Sequence, residues 1–367
     1  MTNLFFDLIR VAIGSQLSLS RLPSADEWDE LFELAKKQSL VGVTFIGLQK
    51  LGADADEGYT RIGMSEDLYF TWIGVAAKIN VQNEFVNKQC AKVQEELDKA
   101  GFEACILKGQ GVGSLYRLHD NDNNLDLAPY RQSGDIDVWV NAPKEKVVAW
   151  AKSLGVAGEE SYLHIGLHAF EDTEVELHYK PSYMRSIRHN KRLQRWLRAE
   201  SLGMREWDSS LGFRVPTYGF NVVYLLTHMY RHLFGMGIGL RQLMDYYFVL
   251  KTLSNSPLKG EKLTHTLKRL GLLDFAGAVM YVMREVFHLE EDYMICGVDE
   301  RRGRHLLEMA MQTGNFGNMD VRQKVARSTR MGSLRYKCSQ WWQLLWLYPE
   351  ETLSAPLWSL TRTLDKN

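Results

Sequence analysis

Ile106-Leu-Lys-Gly-Gln-Gly111, followed further along by Arg131-Gln-Ser-Gly-Asp-Ile-Asp-Val-Trp-Val140, is the stretch that decides the fold. In the second segment Ile136, Val138 and Val140 alternate with Asp135, Asp137 and Trp139. A period of two is the repeat of a β-strand, so both carboxylates are expected on one face. Two acids held side by side on a rigid strand repel each other. The arrangement gains a reason when a hard divalent cation such as Mg²⁺ lies between them, because such ions take oxygen ligands together with substrate phosphates. Removing either acid is then expected to leave stability without metal level or higher.

A third acid is found in Thr173–Pro181, where Val175, Leu177 and Tyr179 form one face and Glu174, Glu176, His178 and Lys180 the other. The preceding run Ser161–Phe170 also alternates, and Glu171-Asp172-Thr173 is a polar turn, so the two runs read as a hairpin lying beside the Asp135 strand. Lys108-Gly109 falls at a strand-to-helix junction, where helix N-terminal amides and a mobile ammonium both favour anions. Ser133-Gly134 gives the backbone a close approach just ahead of the acids. The plainer readings are a solvated loop lysine, an arginine at Arg131 that caps the strand, and an ordinary tight turn.

The order Leu-Lys-Gly, then Arg-x-x-Gly-Asp-Ile-Asp, then Val-Glu-Leu-His resembles the nucleotidyltransferases of the polymerase-β-like superfamily, in particular the branch described only as an uncharacterised nucleotidyltransferase family. The resemblance spans residues 95 to 250. It implies transfer of a nucleoside monophosphate from an NTP, ATP first among them, to an acceptor hydroxyl, with Mg²⁺ or Mn²⁺ as cofactor. Asp135, Asp137 and Glu176 would be the metal ligands and catalytic acids, with Lys108, Gly109, Arg131, Ser133, Gly134 and His178 at the nucleotide. The sequence departs from the superfamily pattern at three places. Lys108-Gly109 stands where Gly-Ser is usual, Glu176 replaces the commoner Asp, and an Asn/Asp-rich insert, His119–Leu127, precedes Asp135. The alternatives are a non-catalytic nucleotide-binding module of the same fold and an Asp-x-Asp metal-dependent glycosyltransferase.

The fold class expected is α+β: a small mixed sheet over residues 96–182, flanked by helical regions over 1–95 and 183–367. Ser24-Ala-Asp-Glu27 reads as a capping box, Ser65 as the start of a long helix that Gly101 ends, and Thr217 as the cap of a helix reaching Phe234. With 367 residues and a net charge of -1, the chain has core enough for an enzyme but no overall field for nucleic acid or membrane surfaces. Its four cysteines show no metal-ligand or disulfide spacing, which fits a reducing cytoplasm. No signal peptide or membrane span is expected.

Further on, His228, Arg231 and His232 share a helix face, and Arg241 with Asp245 is spaced for an i,i+4 ion pair. These helices are expected to close over the sheet edge, with His228, Arg231 and Arg241 touching nucleotide or acceptor. His164, His168 and His178 form a weaker zinc pattern, since paired Asp residues prefer a harder ion. Arg185–Arg198 is the densest basic run, a footprint for a polyanion such as an RNA end if it borders the cleft. The acceptor is thus a small molecule, a protein or RNA.

Overall fold

The computed structural model describes residues 1–53, 58–120, 123–168, 173–200, 205–208, 210–235, 237–252, 260–314 and 341–364. A five-stranded sheet has the order β1-β4-β7-β6-β5, formed by Ala104–Ile106 (β1), Ile136–Val140 (β4), Val175–His178 (β7), His164–Leu167 (β6) and Ala157–Glu160 (β5). β4 and β7 are parallel and their neighbours antiparallel, so the sheet is mixed, as expected for an α+β chain. Two separate hairpins lie outside it. One pairs Arg117–Asp120 (β2) with Asn123–Asp126 (β3), and the other pairs Arg205–Asp208 (β8) with Phe213–Pro216 (β9). The second was not expected, because the chain beyond Pro181 reads as helical throughout.

The two faces of the sheet have different neighbours, and this places the acids. Ile136, Val138 and Val140 join Ala104, Ile106, Leu177 and Val175 in a core completed by Val86, Cys90 and Val93 of the long Glu66–Lys99 helix and by Val147 and Ala151 of the Lys144–Ser153 helix. On the opposite face Trp139 stacks on Phe220 of the Tyr218–Leu233 helix, with ring centroids 5.4 Å apart. That helix and the Leu240–Lys251 helix therefore close over the face that carries the carboxylates.

The caps read from sequence form as expected. Ser24 and Glu27 close a capping box, Ser65 Oγ accepts from the Leu68 amide, and Thr217 Oγ1 accepts from the Phe220 amide. Each satisfies an amide that the first helical turn leaves unpaired. The helix expected to follow Lys108-Gly109 is one α-turn, Gln110–Gly113, continued by a 3-10 turn, Ser114–Tyr116. Gly109 enters it at φ 46, in the left-handed region that glycine adopts without strain. So short an element has little dipole, which leaves the Lys108 ammonium as the main positive charge at this junction. Among the described residues no helix is long and apolar enough to cross a membrane.

Candidate active site

Register assembles the acids. β4 and β7 pair in parallel with Asp137 opposite Glu176 and Trp139 opposite His178. The period of two then brings Asp135, at the entry to β4, to the same face, and oxygens of Asp135, Asp137 and Glu176 lie within 4.8 Å of one another. Asp137 is buried, whereas the Asp135 side chain keeps about a third of its surface and Glu176 about a fifth.

Two cations of the chain share these acids. Lys108 Nζ is 2.7 Å from Asp137 Oδ2 and 3.3 Å from Asp135 Oδ2. His178 Nε2 lies 2.8 Å from Asp137 Oδ1 and 3.1 Å from Glu176 Oε2, and His164 Nδ1 is 2.7 Å from that same Glu176 oxygen. The acids respond unequally. The Asp137 charge first, and burial second, push Asp135 above its ordinary value. Burial also pushes Asp137 upward, but Lys108 and His178 outweigh it and hold the carboxyl below its usual range. For Glu176 burial is outweighed by the hydrogen bonds from His164 and His178, so it too stays ionised. Burial alone would lower Lys108 and His178, yet their carboxylate partners raise both. The expectation that either Asp relieves repulsion when removed therefore holds for Asp135 only. Asp137 is the partner of buried Lys108 and buried His178.

A cleft opens beside the acids, lined by Lys108, Gly109, Arg131, Gly134, Asp135, Asp137, His228 and Arg241, with Leu225, Met229, Gln242 and Asp245 completing the wall. Arg131 reaches it already engaged. Its Nε and one terminal nitrogen make a bidentate pair with Asp245 at 2.7 and 2.8 Å, and Tyr116 donates to the same carboxylate at 2.7 Å. Arg241 donates to the carbonyls of Gln132 at 2.9 Å and Ser133 at 3.4 Å, so it braces the loop that leads into Asp135. Asp245 thus answers Arg131, 114 residues away, in place of the local pair expected with Arg241. A lone acid inside the apolar run Leu240–Leu250 was the available signal, since a buried charge needs a buried partner.

His228 is buried at the cleft wall, and burial together with His232 and Lys108 pushes its imidazole well below its ordinary value. Burial and Arg231 push His232 down to about 3. Arg231 faces elsewhere, into a separate pocket with Tyr162, Tyr183, Arg185 and His232. The basic run forms the Ile187–Glu200 helix, where Arg192 and Arg195 line a separate pocket with Trp196 and Arg269. Among the described residues Cys90 and Cys296 are free thiols, and Cys338 lies outside them.

The chain belongs to the family described as an uncharacterised nucleotidyltransferase, whose model matches residues 24–288. The match is longer than the span of the motifs and takes in the N-terminal helices after Thr2–Ile13 as well as the sheet and the two helices that cover it. Among curated proteins none matches the chain.

Proposed function

We propose that this chain is a divalent-metal-dependent nucleotidyltransferase that moves a nucleoside monophosphate from an NTP, with ATP as the leading donor, to an acceptor hydroxyl. The observation that carries the reading is the grouping of Asp135, Asp137 and Glu176 within 4.8 Å at the edge of a cleft that also holds Lys108, Arg131 and Arg241. The donor set fits the cofactor: three carboxylates from two strands offer only oxygen, the chemistry that Mg²⁺ or Mn²⁺ takes. A bound ion supplies charge neutralisation for the phosphates and makes the acceptor hydroxyl more acidic.

The chain's own residues do the positioning. Lys108 is poised to exchange Asp135 and Asp137 for a phosphate oxygen, with Gly109 and Gly134 keeping the wall low beside it. Arg131 and Arg241 hold the Gln132–Gly134 loop, the first through Asp245 and the second through two carbonyls. The acceptor oxygen attacks the α-phosphorus, the bond to the β-phosphate oxygen breaks, pyrophosphate leaves and the hydroxyl proton passes to solvent water. Glu176 is held below the usual carboxylate range, so it serves as a ligand better than as a base, with His178 orienting it.

One observation favours a second reading. Lys108 and His178 already neutralise the acids, the arrangement expected of a nucleotide-binding module without turnover. Calorimetry with Mg-ATP on wild type and Asp137→Asn, joined to transfer assays with labelled NTPs and RNA, protein and small-molecule pools of a lysate, separates the two. Labelling of one pool that is lost in Glu176→Gln supports the enzyme. Metal-dependent nucleotide binding with no pool labelled by any NTP supports the module. If RNA is the labelled pool, charge reversal at Arg192 and Arg195 should weaken transfer and flatten its salt dependence.

A further inference from the structure

A second group of metal donors adjoins the aspartates and shares Glu176 with them, and its chemistry differs. β6 and β7 are antiparallel with His164 opposite His178 and Gly166 opposite Glu176, so both imidazoles and the carboxylate project from one face. The two rings stand nearly perpendicular, at 79° with centroids 4.9 Å apart. Both nitrogens converge on one oxygen: His164 Nδ1 is 2.7 Å and His178 Nε2 3.1 Å from Glu176 Oε2. One donor atom from each residue lies within 4.8 Å of the others.

We propose that His164, Glu176 and His178 form a site for a borderline first-row divalent ion of the Zn²⁺ or Co²⁺ type, next to the hard-ion site and sharing Glu176 with it. Two imidazole nitrogens with one carboxylate suit such ions, whereas the all-oxygen set of Asp135, Asp137 and Glu176 suits Mg²⁺. The distances are close to those required. Ligand bonds of about 2.0–2.1 Å in a tetrahedral shell put neighbouring donors roughly 3.3 Å apart. Against the present 2.7 and 3.1 Å, the His164 nitrogen would move away from Glu176 Oε2 by about 0.6 Å and the His178 nitrogen by about 0.2 Å. Three protein ligands leave a fourth position for water or a substrate oxygen, and the His164 side chain, 24% exposed, marks the solvent side of the site.

Hydrogen bonding alone accounts poorly for the arrangement. His178 Nε2 carries at most one hydrogen and yet faces two carboxylate oxygens, Asp137 Oδ1 at 2.8 Å and Glu176 Oε2 at 3.1 Å. An ion taking up the Nε2 lone pair would release Asp137 to the hard-ion site. The shared carboxylate makes this inference an extension of the nucleotidyl-transfer reading, although ion binding by the imidazoles can be measured without any nucleotide.

The test is a Co²⁺ titration of the full-length, chelator-stripped protein, followed by visible absorption, with Zn²⁺ and Mg²⁺ as competitors. The expected result is an intense band of low-coordinate Co²⁺ that Zn²⁺ displaces and excess Mg²⁺ does not. His164→Ala, and the milder His164→Gln, should lower Co²⁺ affinity by at least about tenfold with circular dichroism unchanged. Asp135→Asn should keep the band. Absence of the band in wild type, its survival in both His164 variants, or its displacement by Mg²⁺ overturns the proposal. Transfer activity without the band sinks this inference alone, while the band without transfer from any NTP sinks the nucleotidyl-transfer reading and leaves the ion site standing.

Discussion

Asp135 and Asp137 are one residue apart on one face, yet replacing them with Asn should have opposite consequences for stability in the absence of metal. Asp137 is buried with Lys108 at 2.7 Å and His178 at 2.8 Å, and neither cation is more than about a seventh exposed. Removing one partner of a buried charge pair costs about 3–5 kcal/mol, because the remaining charge stays desolvated. Asp135 is different: the neighbouring Asp137 charge raises its pKa, its side chain is 34% exposed, and its contact with Lys108 is the longer one at 3.3 Å. Relief of repulsion and loss of that contact nearly cancel, leaving Asp135→Asn within about 1 kcal/mol of wild type. Thermal and urea unfolding at pH 7 after chelator treatment, with the two variants measured side by side, give the comparison. Equal stability within about 1 kcal/mol, or the reverse order, would refute the assignment of Asp137 as the counter-ion of Lys108 and His178. Both variants should lose metal-dependent nucleotide binding, so the split in stability and the shared loss of function test separate parts of the argument.

Asp245→Asn should destabilise by about 3–5 kcal/mol in denaturant unfolding, since it strands the buried Arg131 and one Tyr116 hydrogen bond; a loss under about 1 kcal/mol would show that the pair is dispensable. Lys108→Met removes an internal competitor from the acids, so calorimetry should find divalent-ion affinity raised, on the order of tenfold for one pK unit of interaction, while Mg-ATP affinity falls by about 1.5–3 kcal/mol. A parallel fall of both affinities would contradict the competition. His232 is pushed down to about 3 from an ordinary 6.5, so as pH falls below 6.5 the unfolded chain takes up its proton first and stability drops across the window down to 3. His232→Gln should flatten the fall of Tm between pH 7 and pH 5, and an unchanged slope would remove His232 from the account. His178 works in the opposite sense, because its raised pKa adds stability that is lost as pH rises through the folded value.

The sheet was legible wherever a strand shows one dry and one polar face, because a period of two survives in a single sequence. Ile136/Val138/Val140 against Asp135/Asp137, and Val175/Leu177 against Glu176/His178, are of that kind. The family was legible through the order of the same residues. The hairpin of β8 and β9 was missed because Arg205–Asp208 is short and polar and carries no alternation of its own. Partners distant in sequence were missed for a different reason. Helical spacing makes Arg241 and Asp245 look like a local pair, whereas the acid is taken by Arg131 and the arginine by the carbonyls of Gln132 and Ser133. Periodicity tells which face a residue occupies, and it is silent on which distant charge shares that face. His164 was visible as one member of a histidine pattern, but its partner in the fold proved to be Glu176 and not His168.

The parallel pairing of β4 and β7 acts as a ruler for the acidic cluster. Asp137 and Glu176 stand opposite each other because of a hydrogen-bond ladder, and the helix, strands and turns strung between them have no say in the spacing. A slip of β7 by a single residue would turn Glu176 into the apolar layer and set a valine or leucine beside Asp137. The ladder therefore admits only the right frame or a visibly wrong one, with nothing intermediate. Segments outside that ladder are free to lengthen, shorten and change their surface. A scaffold of this sort can vary its rim while the acids stay in step.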